Sequence, residues 1–303
     1  MINNNLSPIL ITGSHYSGST WLGKLLSFSS DVGYIHEPFN PYFNNYRNKF
    51  NYWYTFICEE NESEYKPVIQ DCLHFNYHLK HELQETNTVI DIARVLREYC
   101  IFKKYKYQNR RPLIKEPISL FSAAWLHETF NFHVVTLIRH PAAFVGSLKR
   151  KEASFPFEHF LEQPLLIDKY LKKYEDQIGN YVIKPPNLIE QGILLWNIFH
   201  KVILYLQNEN RTQWIFKRHE DLSRNPKDEY KTLYDELGLE YTQTIESRIE
   251  KYTTSRMYVN NYVKRDSKQT IWSWKERLSK KEINLIRKET EEIAIEFYDD
   301  KDW

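Results

Sequence analysis

The sequence predicts a three-layer α/β fold, a central parallel sheet flanked by helices. Three observations predict it. Short apolar runs, too brief for helices, alternate along the chain with stretches of helical spacing. Those runs are continuously apolar, as strands buried on both faces are. The most distinctive residues (Gly13 to Trp21, Lys115 and Arg139) fall where predicted strands end, the side on which parallel sheets bind ligands.

Ile9 to Ile11 reads as the first strand, Gly13 to Gly18 as a tight turn, and Thr20 to Phe28 as a helix carrying Trp21, Leu22, Leu25 and Leu26 at helical spacing. Strand, glycine-bracketed loop and helix make a phosphate cradle, because backbone N–H groups converge there and the helix N-terminus adds positive potential. The spacing Gly-x4-Gly-Ser-Thr resembles the nucleotide-binding P-loop, with Ser19 where that loop carries its lysine. Without a lysine for β/γ-phosphates, the loop suits one phosphate at the end of a nucleotide. The expected architecture is therefore a P-loop-like three-layer fold.

Val32 to Ile35 is the second expected strand, running into His36, Glu37 and Pro38. Asn40 to Asn61 is aromatic and aperiodic and reads as an irregular excursion. Pro67 to Phe102 is expected to be helical, with Leu79, Leu83, Ile92, Val95 and Leu96 in the core. Pro112 to Lys115 is a strand delivering Lys115 and Glu116 to its C-terminal end. A helix over Ser119 to Phe130 follows, then the strongest strand, Phe132 to Ile138, ending at Arg139 with Pro141 opening a helix. Asn187 and Glu190 cap a helix striped with Leu188, Leu195, Trp196 and Phe199. Trp214 to Phe216 is a further strand, and helices follow from Pro226 to Gly238 and from Ser279 onward. One domain spanning 1–303 is expected, with an irregular and helical insertion around 40–110.

The charge balance, 41 basic against 40 acidic residues and net +1, shows no bias toward binding polyanions, so no nucleic-acid partner is expected and any anion site must be local. Three cysteines without a Cys-x-x-Cys pair favour a reducing compartment. No apolar run approaches the length of a transmembrane helix, so a cytoplasmic protein is expected. The 22 tyrosines are mostly half-buried packing residues rather than a sugar platform. His74, His78 and His81 share helical spacing, but no fourth ligand accompanies them and no metal is expected.

Five segments together resemble the sulfotransferases that use 3′-phosphoadenosine 5′-phosphosulfate (PAPS). Thr12 to Trp21 is similar to their 5′-phosphosulfate loop. Val135 to Ser147, an arginine ending a strand and a serine eight positions later, is similar to their 3′-phosphate motif. Phe216 to Leu222 resembles their Arg-Tyr-Glu-Asp-Leu segment, Tyr252 to Ser255 an adenine contact, and Arg265 with Trp274 and Lys275 the C-terminal arginine segment. The order matches over residues 9 to 275. Asp31 to Pro38 and Lys115 to Pro117 resemble the carbohydrate and bacterial branch.

The resemblance implies sulfuryl transfer from PAPS to a hydroxyl of a glycan or small-molecule acceptor, leaving 3′-phosphoadenosine 5′-phosphate (PAP). It implies that His15, Tyr16, Ser17, Gly18, Ser19, Thr20 and Trp21 cradle the phosphosulfate. Arg139, Ser147 and Arg265 would hold the 3′-phosphate, and His219 and Ser255 the adenine. Glu37 matches the family's base and Lys115 its strand-end cation; His36 is an alternative base. The histidine base of the small-molecule branch is replaced by Pro117. Tyr16 stands where the loop cation belongs, so Lys115 supplies the charge alone or His15 joins it when protonated. Residues 41–57 and 154–174 are candidate acceptor walls. A P-loop kinase would need the missing lysine, and a noncatalytic nucleotide binder would tolerate loss of Glu37 and Lys115.

Overall fold

Alternation within one short strand accounts for the layering. In β1 (Ile9–Thr12), Ile9 and Ile11 join one hydrophobic cluster with Leu22, Leu25 and Leu113, while Leu10 joins another with Ile114, Val134 and Phe144. Successive strand side chains point to opposite faces, so each face needs its own cover of helices. The computed structural model describes residues 7–42, 49–84, 86–209, 213–254, 257–259, 262–264 and 267–303.

Four more strands complete a parallel sheet with β1 at its centre: β2 (Val32–His36), β3 (Arg111–Lys115), β4 (His133–Ile138) and β5 (Trp214–Arg218), in the order β2-β3-β1-β4-β5, so that β3 and β4 pair with β1 directly. The chain starts at the centre, builds one side, then crosses to the other, so β1 lies at the point where strand order reverses. The registers Ile11↔Lys115, His36↔Lys115, Thr12↔Thr136 and Ile138↔Arg218 align the strand ends. Glycine loop, Glu37, Lys115, Arg139 and His219 consequently leave the sheet along one edge.

Helix α1 (Ser19–Leu26) follows the loop directly. The segment expected as one helix over Pro67 to Phe102 is instead three: α2 (Glu62–Leu73), α3 (Leu79–Gln84) and α4 (Val89–Tyr107). Phe75 adopts a left-handed backbone (φ 50°) that ends α2, and the Thr88 side chain accepts the Asp91 N–H to start α4. The three histidines therefore share no helix face; His74 meets the Gln70 carbonyl and His78 pairs with Asp71 at 2.7 Å. Of the expected core positions only Val95 is buried, and Ile92 and Leu96 are 40% and 44% exposed. Phe102 and Tyr105 make the inward contact in their place, packing on Phe75. The described part of the excursion after residue 40 packs into the core: Tyr54 and Phe56 are buried, and Tyr54 stacks on Phe199 at 4.4 Å.

Helices α5 (Ala123–Phe130) and α6 (Pro141–Lys151) flank β4. The Asn187 side chain accepts two N–H bonds at the start of the Leu188–Asn208 helix, which packs on α6. The Ser279–Glu282 capping box opens the Lys280–Ala294 helix. Among the described residues no helix is long and apolar enough to cross a membrane.

Candidate active site

The cradle is set by backbone conformations that side chains resist. Gly13 (φ 142°), Tyr16 (φ 60°) and Gly18 (φ 97°) all have positive φ. A Cβ on Gly13 would lie 2.5 Å from the Leu137 oxygen, and one on Gly18 would lie 2.4 Å from His219 Nδ1. Ser17 N–H donates to Ser14 O at 3.1 Å, closing the turn, and Trp21 and Leu22 N–H groups donate to Gly18 O. The Ser17 hydroxyl is fully buried beneath the loop, with no protein partner among the described residues. A tight loop with an unsatisfied hydroxyl at a helix start fits a terminal phosphate group.

At the ends of β2 and β3, Lys115 and Glu37 meet. Glu37 takes a left-handed backbone (φ 45°) and donates its N–H to Lys115 O at 2.9 Å. The fully buried Lys115 ammonium pairs with Glu37 Oε1, and Asn40 Nδ2 donates to Oε2 at 2.8 Å. Burial pushes the Glu37 carboxyl up, but the Lys115 charge and hydrogen bond, with Asn40, bring it below the ordinary carboxylate value. Burial lowers Lys115, and Glu37 offsets only part of that. The pair is thus a carboxylate kept ionised beside its cation. His36 bonds the Tyr34 hydroxyl at 3.1 Å, and burial, then Lys115, lowers its pKa to about 4, so it is neutral at pH 7.

Arg139 ends β4 and reaches across to the loop. Its Nη1 donates to Tyr16 O, and its own carbonyl accepts Trp196 Nε1–H at 2.8 Å. Its Nε is buried without a protein partner among the described residues. Burial lowers the guanidinium to about 10, Glu220 opposes, and Arg277 and Arg150 push further down; it stays charged at neutral pH. Ser147, on α6, donates to Ala143 O at 2.8 Å. His219 packs edge-on against Trp21 at 5.7 Å, and burial lowers its pKa to about 3.

His15 departs from one expectation. It sits among Trp53, Tyr54, Phe144, Phe155 and Phe199, and burial lowers its pKa to about 3. The Tyr54 hydroxyl accepts the His15 N–H at 2.9 Å and lies 2.7 Å from Nδ1, so it donates to a neutral ring. His15 is therefore uncharged at neutral pH and brings no cation to the loop.

These groups open on one cavity of about 370 Å³, lined by His15, Tyr16, Gly18, Ser19, Thr20, Glu37, Arg139 and Ser147. Ser17, Trp21, His219 and Lys115 pack around them. Ser255 and Arg265 lie outside the described residues. Trp53 lines the same cavity, as do Asn40, Arg150, Thr270, Ser273 and Arg277, five residues that the sequence did not single out. Arg150 was findable, three positions beyond Ser147 on the same helix face. Arg277 gave no local signal, arriving from a distant segment. Trp53 belongs to the excursion expected to form an acceptor wall.

A glycine cradle at the reversal of a parallel sheet, with cationic strand ends around it, defines a P-loop-like α/β protein that handles phosphate groups. A family model described as "Sulfotransferase domain" matches residues 6–294, and the chain belongs to the sulfotransferase family. It is a sulfotransferase enzyme, of a kind that generally uses PAPS. Solved structures similar to it include the sulfotransferase domain from the curacin biosynthetic pathway (16% identity, 94% of this chain and 98% of that one covered, TM-score 0.47). Others are the domain from the Synechococcus PCC 7002 olefin synthase (14%, 99% and 98%, 0.47) and mouse sulfotransferase SULT7A1 complexed with PAP (11%, 95% and 84%, 0.42). No curated protein matches the chain.

Proposed function

We propose that this sulfotransferase transfers the sulfuryl group of PAPS to a hydroxyl of a glycan or related small acceptor, with Glu37 as base and Lys115 as leaving-group cation. The observation that carries the reading is the Lys115–Glu37 pair, set at adjacent strand ends beside the cavity that Gly18 and Arg139 also line. PAPS, when bound, supplies an activated sulfur bonded to a phosphate oxygen. Glu37 takes the proton of the acceptor hydroxyl as its oxygen bonds to sulfur. Lys115 stabilises the charge left on the phosphate oxygen when the sulfur–oxygen bond breaks, and PAP departs. The Ser17 hydroxyl and the N–H groups of residues 18–20 suit the 5′-phosphate. Arg139, Ser147, Arg150 and Arg277 suit the 3′-phosphate, since like charges gathered in one cavity are relieved by a dianion.

The glycan class is supported by the resemblance of the Glu37 segment and by Trp53, an aromatic face in the cavity beside the base. Three cysteines, an odd number without a Cys-x-x-Cys pair, support a cytoplasmic setting.

The test is a PAP titration followed by transfer of ³⁵S from labelled PAPS to oligosaccharide acceptors. Arg139→Ala is expected to weaken PAP binding at least about tenfold, the loss of one or more charge-assisted bonds of ~1.5–3 kcal/mol. Unchanged affinity would remove Arg139 from the nucleotide site.

A further inference from the structure

We propose that Glu116 is a positioning residue for the base: its buried carboxyl group holds the backbone turn that carries Glu37. The inference rests on the reading of Glu37 given above. Glu116 is fully buried, next to Lys115 at the end of β3, and its own N–H donates to Ile11 O at 2.8 Å, anchoring it to the central strand. Its Oε2 accepts the Phe39 N–H at 2.7 Å, and its Oε1 accepts the Ile118 N–H at 3.4 Å. Phe39 is two residues beyond Glu37, in a turn where Asn40 N–H donates to Glu37 O at 3.2 Å. Glu37 holds a left-handed backbone, which a non-glycine residue keeps only where its surroundings impose it. On one side Lys115 O accepts the Glu37 N–H; on the other Glu116 accepts the Phe39 N–H. The base is therefore carried on a turn fastened at two points to the strand that also supplies the cation.

A buried carboxyl group is costly unless something in the fold uses its oxygens. Burial pushes Glu116 up to about 8, so at pH 7 the group is carried largely as the neutral acid. In a neutral carboxyl the carbonyl oxygen is the stronger acceptor, and the shorter bond, from Phe39 N–H, assigns it to Oε2. Glutamine reproduces that acceptor at the same reach; methionine fills the volume without it.

Amide hydrogen exchange at Phe39 and sulfuryl transfer from ³⁵S-labelled PAPS to N-acetyllactosamine oligosaccharides, measured on wild type, Glu116→Gln and Glu116→Met, test this. In the wild type, Phe39 N–H is expected to exchange far more slowly than an exposed loop amide. Glu116→Met is expected to speed that exchange by about tenfold or more and to lower kcat about tenfold to hundredfold, with PAP affinity within twofold. Glu116→Gln is expected to restore most of both. Phe39 exchange as fast as an exposed amide in the wild type overturns the proposal whatever the variants do. So does a Glu116→Gln enzyme as slow as Glu116→Met. Failure of wild-type PAP binding or transfer would instead fall on the sulfotransfer roles, since the exchange measurement needs neither ligand.

Discussion

Replacing Lys115 with methionine tests the catalytic pair where its electrostatics are most readable. The lysine is fully buried and its stem is closely packed; a Cβ on Gly23 would lie 3.1 Å from its Cγ. Methionine keeps that stem and deletes the ammonium. Glu37 then loses its hydrogen-bonded cation and keeps the Asn40 amide, with a smaller effect of His36, against burial, the largest influence on it. A hydrogen bond to a charged partner contributes ~1.5–3 kcal/mol to the ionised form, so without it the carboxyl should titrate at higher pH. The base works ionised, so the rate falls as pH drops through its pKa. In the wild type that acid limb lies below the ordinary carboxylate value; in the variant it moves toward neutrality. The pH profile of kcat/KM reports it in the free enzyme. The plateau rate should also fall, by about 10²-fold, with loss of the leaving-group cation. An acid limb at the same pH in both enzymes would refute the pairing as the control on the base.

Glu37→Gln keeps the shape and removes the basicity; turnover should fall by ~10²–10⁴ while calorimetric PAP affinity stays near wild type. Arg277→Gln should weaken PAP at least about tenfold and leave 5′-AMP nearly unaffected, since the arginine is read as facing the 3′-phosphate; an equal loss for both nucleotides would move Arg277 elsewhere in the site. Tyr16→Lys, which returns a cation to the loop, should recover part of the rate lost in Lys115→Met. No recovery in a folded double variant would mean that the two positions serve different oxygens.

The cradle, Glu37, Lys115, Arg139 and Ser147 were legible because each depends on local geometry: a short apolar run, the residue that ends it, and the spacing along the helix that follows. What the sequence did not show depends on segments meeting in space. Phe75 carries no signal for the left-handed backbone that ends α2, so α2, α3 and α4 read as one helix. Periodicity could not tell that α4 turns Phe102 and Tyr105 inward while Ile92 and Leu96 stay at the surface. The charge of His15 is set by rings from three distant stretches, at 53–54, 144–155 and 199, none of them adjacent in sequence. Arg277 reaches the cavity from beyond Trp274, where no spacing rule points to it.

Tyr16 stands where the family pattern has a loop cation, and the cavity walls carry positive charge from other elements. Tyr16 contributes a hydroxyl whose pKa burial raises further, with Arg150 opposing, so it brings no charge at neutral pH. Its backbone oxygen instead accepts from Arg139, tying the loop to the end of β4. Positive charge thus comes from strand ends and from the helix side: Lys115 beneath Glu37, Arg139 at β4, and Arg150 and Arg277 across the cavity. Lys115 and Arg139, held at strand ends by Glu37 and by the Tyr16 carbonyl, are placed before a ligand arrives, whereas a loop lysine must give up side-chain freedom to be placed. On the roles proposed above, one buried lysine serves two partners, the base in the free enzyme and the leaving phosphate during transfer, and any weakening of its bond to Glu37 on donor binding would raise the basicity of the carboxylate.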